Sequence, residues 1–293
     1  MDATLNEAPA SQSGSKLPFK VRNRQFTSGK ERHWYGGDPV ITAHYNALSS
    51  MFPDGERFFC DSVRAQKDRI TDPKLLKEIS AFVGQEAVHS REHKLYNERI
   101  EAQGYPMRQL EQLTDYGLKI ARRRLPLKWQ LGQTCALEHF TAMLADQLLH
   151  DTEMAEKAKP EDYELWMWHA VEETEHKAVA FDTLKAVSSP LGFYVNRVRA
   201  ILMTTLFFNI GLVVNMWLLL RADGLQWSPR AWGRWVWYLI GRPGHVRKSL
   251  GAYLDWFRPG FHPWDHDNRE LVERWKISQG EQTAQETDTA AAA

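Results

Sequence analysis

The sequence predicts an all-α protein. Three observations predict it. Apolar residues recur at spacings of three and four, as in Leu131, Cys135, Leu137, Met143, Leu144 and Leu148, and no segment sustains the alternation of a strand. Proline steps such as Asp38-Pro39, Asp72-Pro73 and Pro160 punctuate these stretches, as they do at helix starts. Finally, carboxylates and imidazoles stand in the middle of apolar helical stretches, where burial demands a positive partner.

At 293 residues the chain can bury a substantial core, as one large domain or two small ones. Lys+Arg and Asp+Glu are each 37, a formal charge of zero, which speaks against a general nucleic-acid binder. Cys60 and Cys135 form no framework and suit a reducing compartment. No apolar run follows a basic start, so no secretory signal is expected. The expected location is the cytoplasm, in association with the inner face of its membrane. Residues 1–16 are small and polar and are expected to be disordered. Residues 17–260 form the helical domain, and 261–293 a C-terminal extension whose low-complexity tail begins at Gln279.

Taken in order, the first apolar pattern runs from Asp38-Pro39 through Val40, Ile41, Tyr45 and Leu48 to Phe52. A helix opens near Glu56 and runs towards Lys67, with Asp54 as its expected cap. Asp72-Pro73 starts the next, which carries Glu86, His89 and His93 and ends at Gly104-Tyr105-Pro106. A helix with a basic end spans about Met107 to Arg124. Leu127 to Lys157 reads as one long helix with Glu138 in its apolar half. Pro160 starts another, expected to reach Val187, and Gly241 to Phe257 a further one.

Residues 200–220 contain no charge, with Arg197 and Arg199 before them and Arg221 after. Twenty-one residues suffice to cross a hydrocarbon core of ~30 Å. Trp227, Trp232, Trp235 and Trp237 follow, like an interfacial aromatic belt. Asn209 and Asn215 soften the run. A central helix buried in a bundle and a helix in contact with membrane both fit it, attachment at the surface better than a clean span.

The chemistry concentrates in Trp168-His169-Ala170-Val171-Glu172-Glu173-Thr174-Glu175-His176. At about 100° per residue, His169, Glu173 and His176 leave one helix face within roughly 60° of each other. Two Glu-x-x-His pairs occur, Glu86/His89 and Glu173/His176. Such pairs also arise by chance in a chain with 21 Glu and 11 His, so their context carries the argument. Each pair is mid-helix, and each follows a helix with a single Glu in apolar surroundings, Glu56 and Glu138. The chain reads Glu, Glu-x-x-His, Glu, Glu-x-x-His. Four carboxylates can neutralise two divalent ions, and a mixed nitrogen and oxygen shell suits iron or manganese. The expected ligands are therefore Glu56, Glu86, His89, Glu138, His169, Glu173 and His176, with His169 alternatively a hydrogen-bonded neighbour of the shell. His93, one turn beyond His89, is expected beside the shell. Glu172 could substitute for Glu173. Glu92 and Glu175 lie on other faces and are expected to be solvated, and His139 points away. His150, His245, His262 and His266 lack matching ligands.

That ligand order resembles the ferritin-like di-metal carboxylate proteins, and the resemblance implies a ferritin-like four-helix bundle with additional C-terminal helices. The segments Phe52-Pro53-x-Gly55-Glu56-Arg57-Phe58-Phe59, Glu86-x-x-His89 and His169-x-x-x-Glu173-x-x-His176 resemble the bacterial family labelled "predicted metal-dependent hydrolase", a ferritin-like group, over most of residues 35 to 260. His169 one turn before Glu173 is also similar to the di-iron N-oxygenases of aminobenzoate-type arylamines, in which a histidine there is a seventh ligand. The resemblance implies dioxygen activation at two metal ions, iron first, manganese or a mixed pair otherwise. Likeness to the N-oxygenases is confined to the motif, so their substrate does not transfer. The expected partners are dioxygen, an apolar or lipid-like small molecule, a membrane surface and a second copy of the chain. The alternatives are a dinuclear hydrolase, with a metal-activated water, and a non-catalytic metal-binding bundle.

Overall fold

The computed structural model describes residues 16–281. Most of the termini expected to be disordered, residues 1–15 and 282–293, lie outside the described residues. Within them the protein is all-helical, with no strand and one isolated bridge between Tyr35 and Ala158.

Local chemistry sets the helix starts. Asp38 opens α1 (Pro39–Ser49), its carboxylate accepting from the amides of Val40 and Ile41 at 2.9 and 3.1 Å. Pro39 takes a position whose N–H would lack a helical partner anyway. Helix α2 (Phe52–Arg64) begins earlier than expected. Asp54 is not its cap but lies in the first turn, paired with Arg57, where a carboxylate meets the positive end of the helix dipole. Asp72 caps α3 (Pro73–Glu101) through the Lys74 amide at 2.8 Å. Pro126 separates α4 (Met107–Arg124) from α5 (Leu127–Leu149).

Two expected long helices are each broken. After α5, Asp151 accepts from the amides of Glu153 and Met154 and starts a short α6 (Thr152–Lys157). Helix α7 (Pro160–His176) stops at Lys177, before α8 (Val179–Ala186). Neither Gly nor Pro marks that stop. There the Lys177 ammonium reaches His266 O and Asn268 Oδ1, both at 2.7 Å. Then come α9 (Pro190–Ala222), α10 (Pro229–Ile240), α11 (His245–Asp255) and α12 (Arg269–Ser278).

Helix α2 lies along α3, and α5 along α7; the pairs meet where α2 touches α5 and α3 touches α7. Around these four, α4 packs on α2 and α3, α9 on α1 and α5, and α12 on α7. One apolar cluster gathers Trp34, Tyr45, Trp166 and Trp168. A second gathers Phe58, Phe82, Leu131 and Trp256. The stretch before α1 straps α3 and α7 together: the Phe26 amide donates to Glu92 at 2.9 Å and the Gly29 amide to Asp162 at 2.6 Å.

Candidate metal centre

All seven expected ligands converge inside the four central helices. Glu56 comes from α2, Glu86 and His89 from α3, Glu138 from α5, and His169, Glu173 and His176 from α7. Their donor atoms fall into two groups, each within 4.8 Å: Glu56, His89 and His169, and Glu86, Glu138, Glu173 and His176. Every one is buried, the most exposed being His169 at 4 %. His176 Nε2 lies 3.2 Å from Glu86, 3.6 Å from Glu138 and 3.6 Å from Glu173, and His89 Nδ1 lies 3.8 and 3.6 Å from Glu86 and Glu173. His169 Nε2 is 3.1 Å from Glu173. Aromatic rings wall the layer, with Trp168 4.8 Å from His89, Phe52 4.8 Å from His169 and Phe82 4.9 Å from His176.

The donor set fits metal ions by a direct test. Both carboxylate oxygens of Glu56, Glu86 and Glu138, Glu173 Oε2, His89 Nδ1 and His176 Nε2 are buried without a hydrogen bond. Leaving one such atom unsatisfied costs about 1–3 kcal/mol, and more for a charged group. So many in one layer, all aimed inward, ask for cations.

The surroundings turn each imidazole so that a bare nitrogen faces the layer. The Asn97 amide nitrogen donates to Ser49 O and Glu111, which makes its oxygen the acceptor for the Ser49 hydroxyl at 2.6 Å. Ser49 must then accept from His93 Nδ1 at 2.9 Å, and His93 Nε2 from His169 Nδ1 at 2.9 Å. His169 is left with a lone pair on Nε2. Likewise Gln85 Nε2 donates to Lys20 O and Glu175, so Gln85 Oε1 accepts from His176 Nδ1 at 2.9 Å. Glu172 accepts from His89 Nε2 at 3.0 Å. Outer partners of this kind fix ligand orientation and basicity.

Electrostatics agree. Burial alone would lower the His89 and His176 pKa values, but the surrounding carboxylates hold both well above the usual range. Burial and the charge of Glu86 push Glu56 well up, and burial with Glu173 and Glu86 does the same to Glu138. Burial would also raise Glu173, yet His176, His169 and His89 hold it well below.

Several neighbours differ from expectation. Glu172 does not substitute for Glu173; it orients His89 and also accepts from the Trp168 indole at 3.0 Å and Arg22 at 3.1 Å. Glu175 and Glu92 are not solvated but buried. Glu175 binds Arg22 at 2.7 and 2.8 Å and Lys276 at 3.0 Å, cations from opposite ends of the chain that no periodicity could forecast. His93 stands beside the donor groups, as expected. His139 turns away and stacks on Trp256 at 4.5 Å. His245 and His262 pair with Asp151 and Asp182, both at 3.2 Å.

A cavity of about 40 Å³ abuts the layer, and His169, Glu173, Phe52, Thr141, Leu144 and Leu148 are among its lining residues. It has room for a few water-sized groups and its walls are mainly apolar.

Fold and site thus define an all-helical protein with a buried carboxylate–imidazole cluster suited to metal. Residues 20–267 match the family described as "Predicted metal-dependent hydrolase", and the chain belongs to it. No curated protein and no solved structure matches the chain. The family description and the clusters support a metal-dependent enzyme, and the description backs hydrolysis better than oxygen chemistry.

Proposed function

We propose that the seven side chains hold two divalent metal ions within a ferritin-like four-helix bundle formed by α2, α3, α5 and α7. The observation that carries this reading is the layer of inward-facing buried donors without hydrogen bonds. Four carboxylates balance the charge of two such ions, and the three imidazoles offer bare nitrogens. His89 and His169 with Glu56 would hold one ion, and His176 with Glu86 and Glu138 the other. Glu173, with one oxygen towards each group, would bridge them.

For the reaction we favour oxidation of a small apolar molecule with dioxygen, on the mainly apolar cavity beside His169 and Glu173 and the crowding by seven protein donors. Iron bound here would supply the electrons for that chemistry. The chain contributes a mainly apolar cavity lined in part by His169 and Glu173, aromatic rings packed on the imidazoles, and oriented imidazoles. The second reading, metal-dependent hydrolysis, has the family description in its favour. It needs room for a water and a polar substrate beside the ions, and seven protein donors leave less of it.

Two assays on one preparation separate the readings. Oxygen chemistry predicts uptake of dioxygen by the reduced, iron-loaded protein that Glu56→Ala abolishes. Hydrolysis predicts anaerobic turnover of ester or phosphoester panels by the zinc- or manganese-loaded protein. Anaerobic turnover without oxygen uptake would overturn the first reading.

A further inference from the structure

We propose that α9, α10 and α11 form a face that docks in the plane of an anionic lipid bilayer. Helix α9 is apolar enough to cross a membrane, yet only 28 % of its most apolar eighteen residues are buried. Its outer side exposes Leu206, Phe207 and Ile210, at 51, 63 and 51 %. Its inner side is committed to the core. Ile201, Leu212, Met216 and Leu219 are buried there, and Asn215 donates to Ser50 at 3.0 Å. A helix tied in along one side cannot span a bilayer without dismantling that packing, but it can lie in the interface with its free side in lipid.

Neighbouring helices extend the surface. Helix α11 meets α9 through Tyr253 and Thr205 at 2.9 Å and exposes Val246, Leu250 and Leu254, one residue per turn. Trp227 and Trp237 are 77 and 58 % exposed, the residue type favoured at headgroup level. The charge is complementary to anionic lipid. Residues 190–258 hold nine Lys or Arg against two Asp, in a chain whose formal charge is zero. Arg221, Arg230, Arg242, Arg247 and Lys248 are exposed. A second copy fits worse, because a two-fold contact sets a patch against itself and would bring basic rim to basic rim.

The docked face also packs on α5, the helix that lines one part of the cavity. Phe140 of α5 sits between Phe208 of α9 at 5.4 Å and Tyr253 of α11 at 6.3 Å. The next residue, Thr141, and Leu144 line the cavity that His169 and Glu173 also line. Resting on the metal-centre reading for what lies beside that cavity, this arrangement would admit the slender hydrocarbon end of a membrane-dissolved molecule.

The test sediments the full-length protein with vesicles of phosphatidylcholine, alone or mixed equally with phosphatidylglycerol. The expected result is pelleting with the mixed vesicles and at least about tenfold weaker binding to phosphatidylcholine alone. Leu206→Glu with Phe207→Glu should abolish pelleting, and Arg230→Gln with Lys248→Gln should weaken it at least about tenfold. Metal content and melting temperature, measured on the same samples, should not change, which keeps this test separate from that of the metal centre. Protein that stays in the supernatant with both vesicle types overturns the proposal. So does a dimer that Leu206→Glu with Phe207→Glu dissociates in sedimentation velocity, which would make the face a contact between copies.

Discussion

Glu172 shows how a residue outside the donor layer can govern it. It accepts from His89, Trp168 and Arg22 at once, so its charge holds the His89 ring with Nδ1 inward. Glu172→Gln keeps the shape but weakens that hold. The expected result is a roughly 10–100-fold loss of metal affinity, read by chelator competition, with the far-UV circular dichroism unchanged. Unaltered affinity would reduce Glu172 to packing. Five of the seven candidate donors were legible because same-face spacing is a local property of a helix: Glu86 with His89, and His169 with Glu173 and His176, need no tertiary knowledge, whereas Glu56 and Glu138 rested on the order of the motifs along the chain. Glu172 and Glu175 were not legible. Their partners Arg22 and Lys276 lie at least a hundred residues away, and only the assembled fold places them.

At the scale of elements, helix starts were legible where Asp precedes Pro, at Asp38 and Asp72, because the signals that open a helix lie within two or three residues, although the one expected cap, Asp54, lies in the first turn instead. The stop at Lys177 was not, since it coincides with contacts to His266 and Asn268. Two predictions concern how elements meet. Asp162 near the start of α7 accepts from the strap at Gly29, and burial pushes its carboxyl up from 3.8 to about 7. The folded state therefore holds a proton that the unfolded chain has lost. Stability from this group is fully present below about pH 4 and declines until about pH 7. Asp162→Asn cannot ionise, so its melting temperature relative to the parent should rise across that window. A difference that shrinks with pH would contradict the assignment. Between α5 and α9, a Cβ at Gly132 would meet Asn196 Oδ1 at 2.3 Å, and Asn196 is held by Lys128 O at 2.7 Å. Gly132→Ala gains helix propensity but overpacks the contact, for a net loss of about 1 kcal/mol in denaturant unfolding. A gain would show that Asn196 swings aside freely.

For the whole molecule, an all-helical architecture followed from periodicity alone, whereas the sidedness of α9 did not. Its apolar run reads the same whether buried or exposed, and the zero net charge conceals a strongly basic stretch over residues 190–258. The central helices surround a layer of buried carboxylate and imidazole donors that lack hydrogen bonds, so the fold and a bound metal should be linked. Removing the metal should destabilise the protein by about 4 kcal/mol where free ion stands a thousandfold above its Kd, seen as a lower melting temperature after chelation and restored on reloading. An unchanged melting temperature would mean that the layer tolerates its own charges.

The most direct test of the central claim is the metal-to-protein ratio of protein purified without chelator, beside that of Glu138→Ala. The account predicts two ions per chain in the parent and a sharp fall in the variant. A parent free of metal, or a variant with an unchanged ratio, would contradict it.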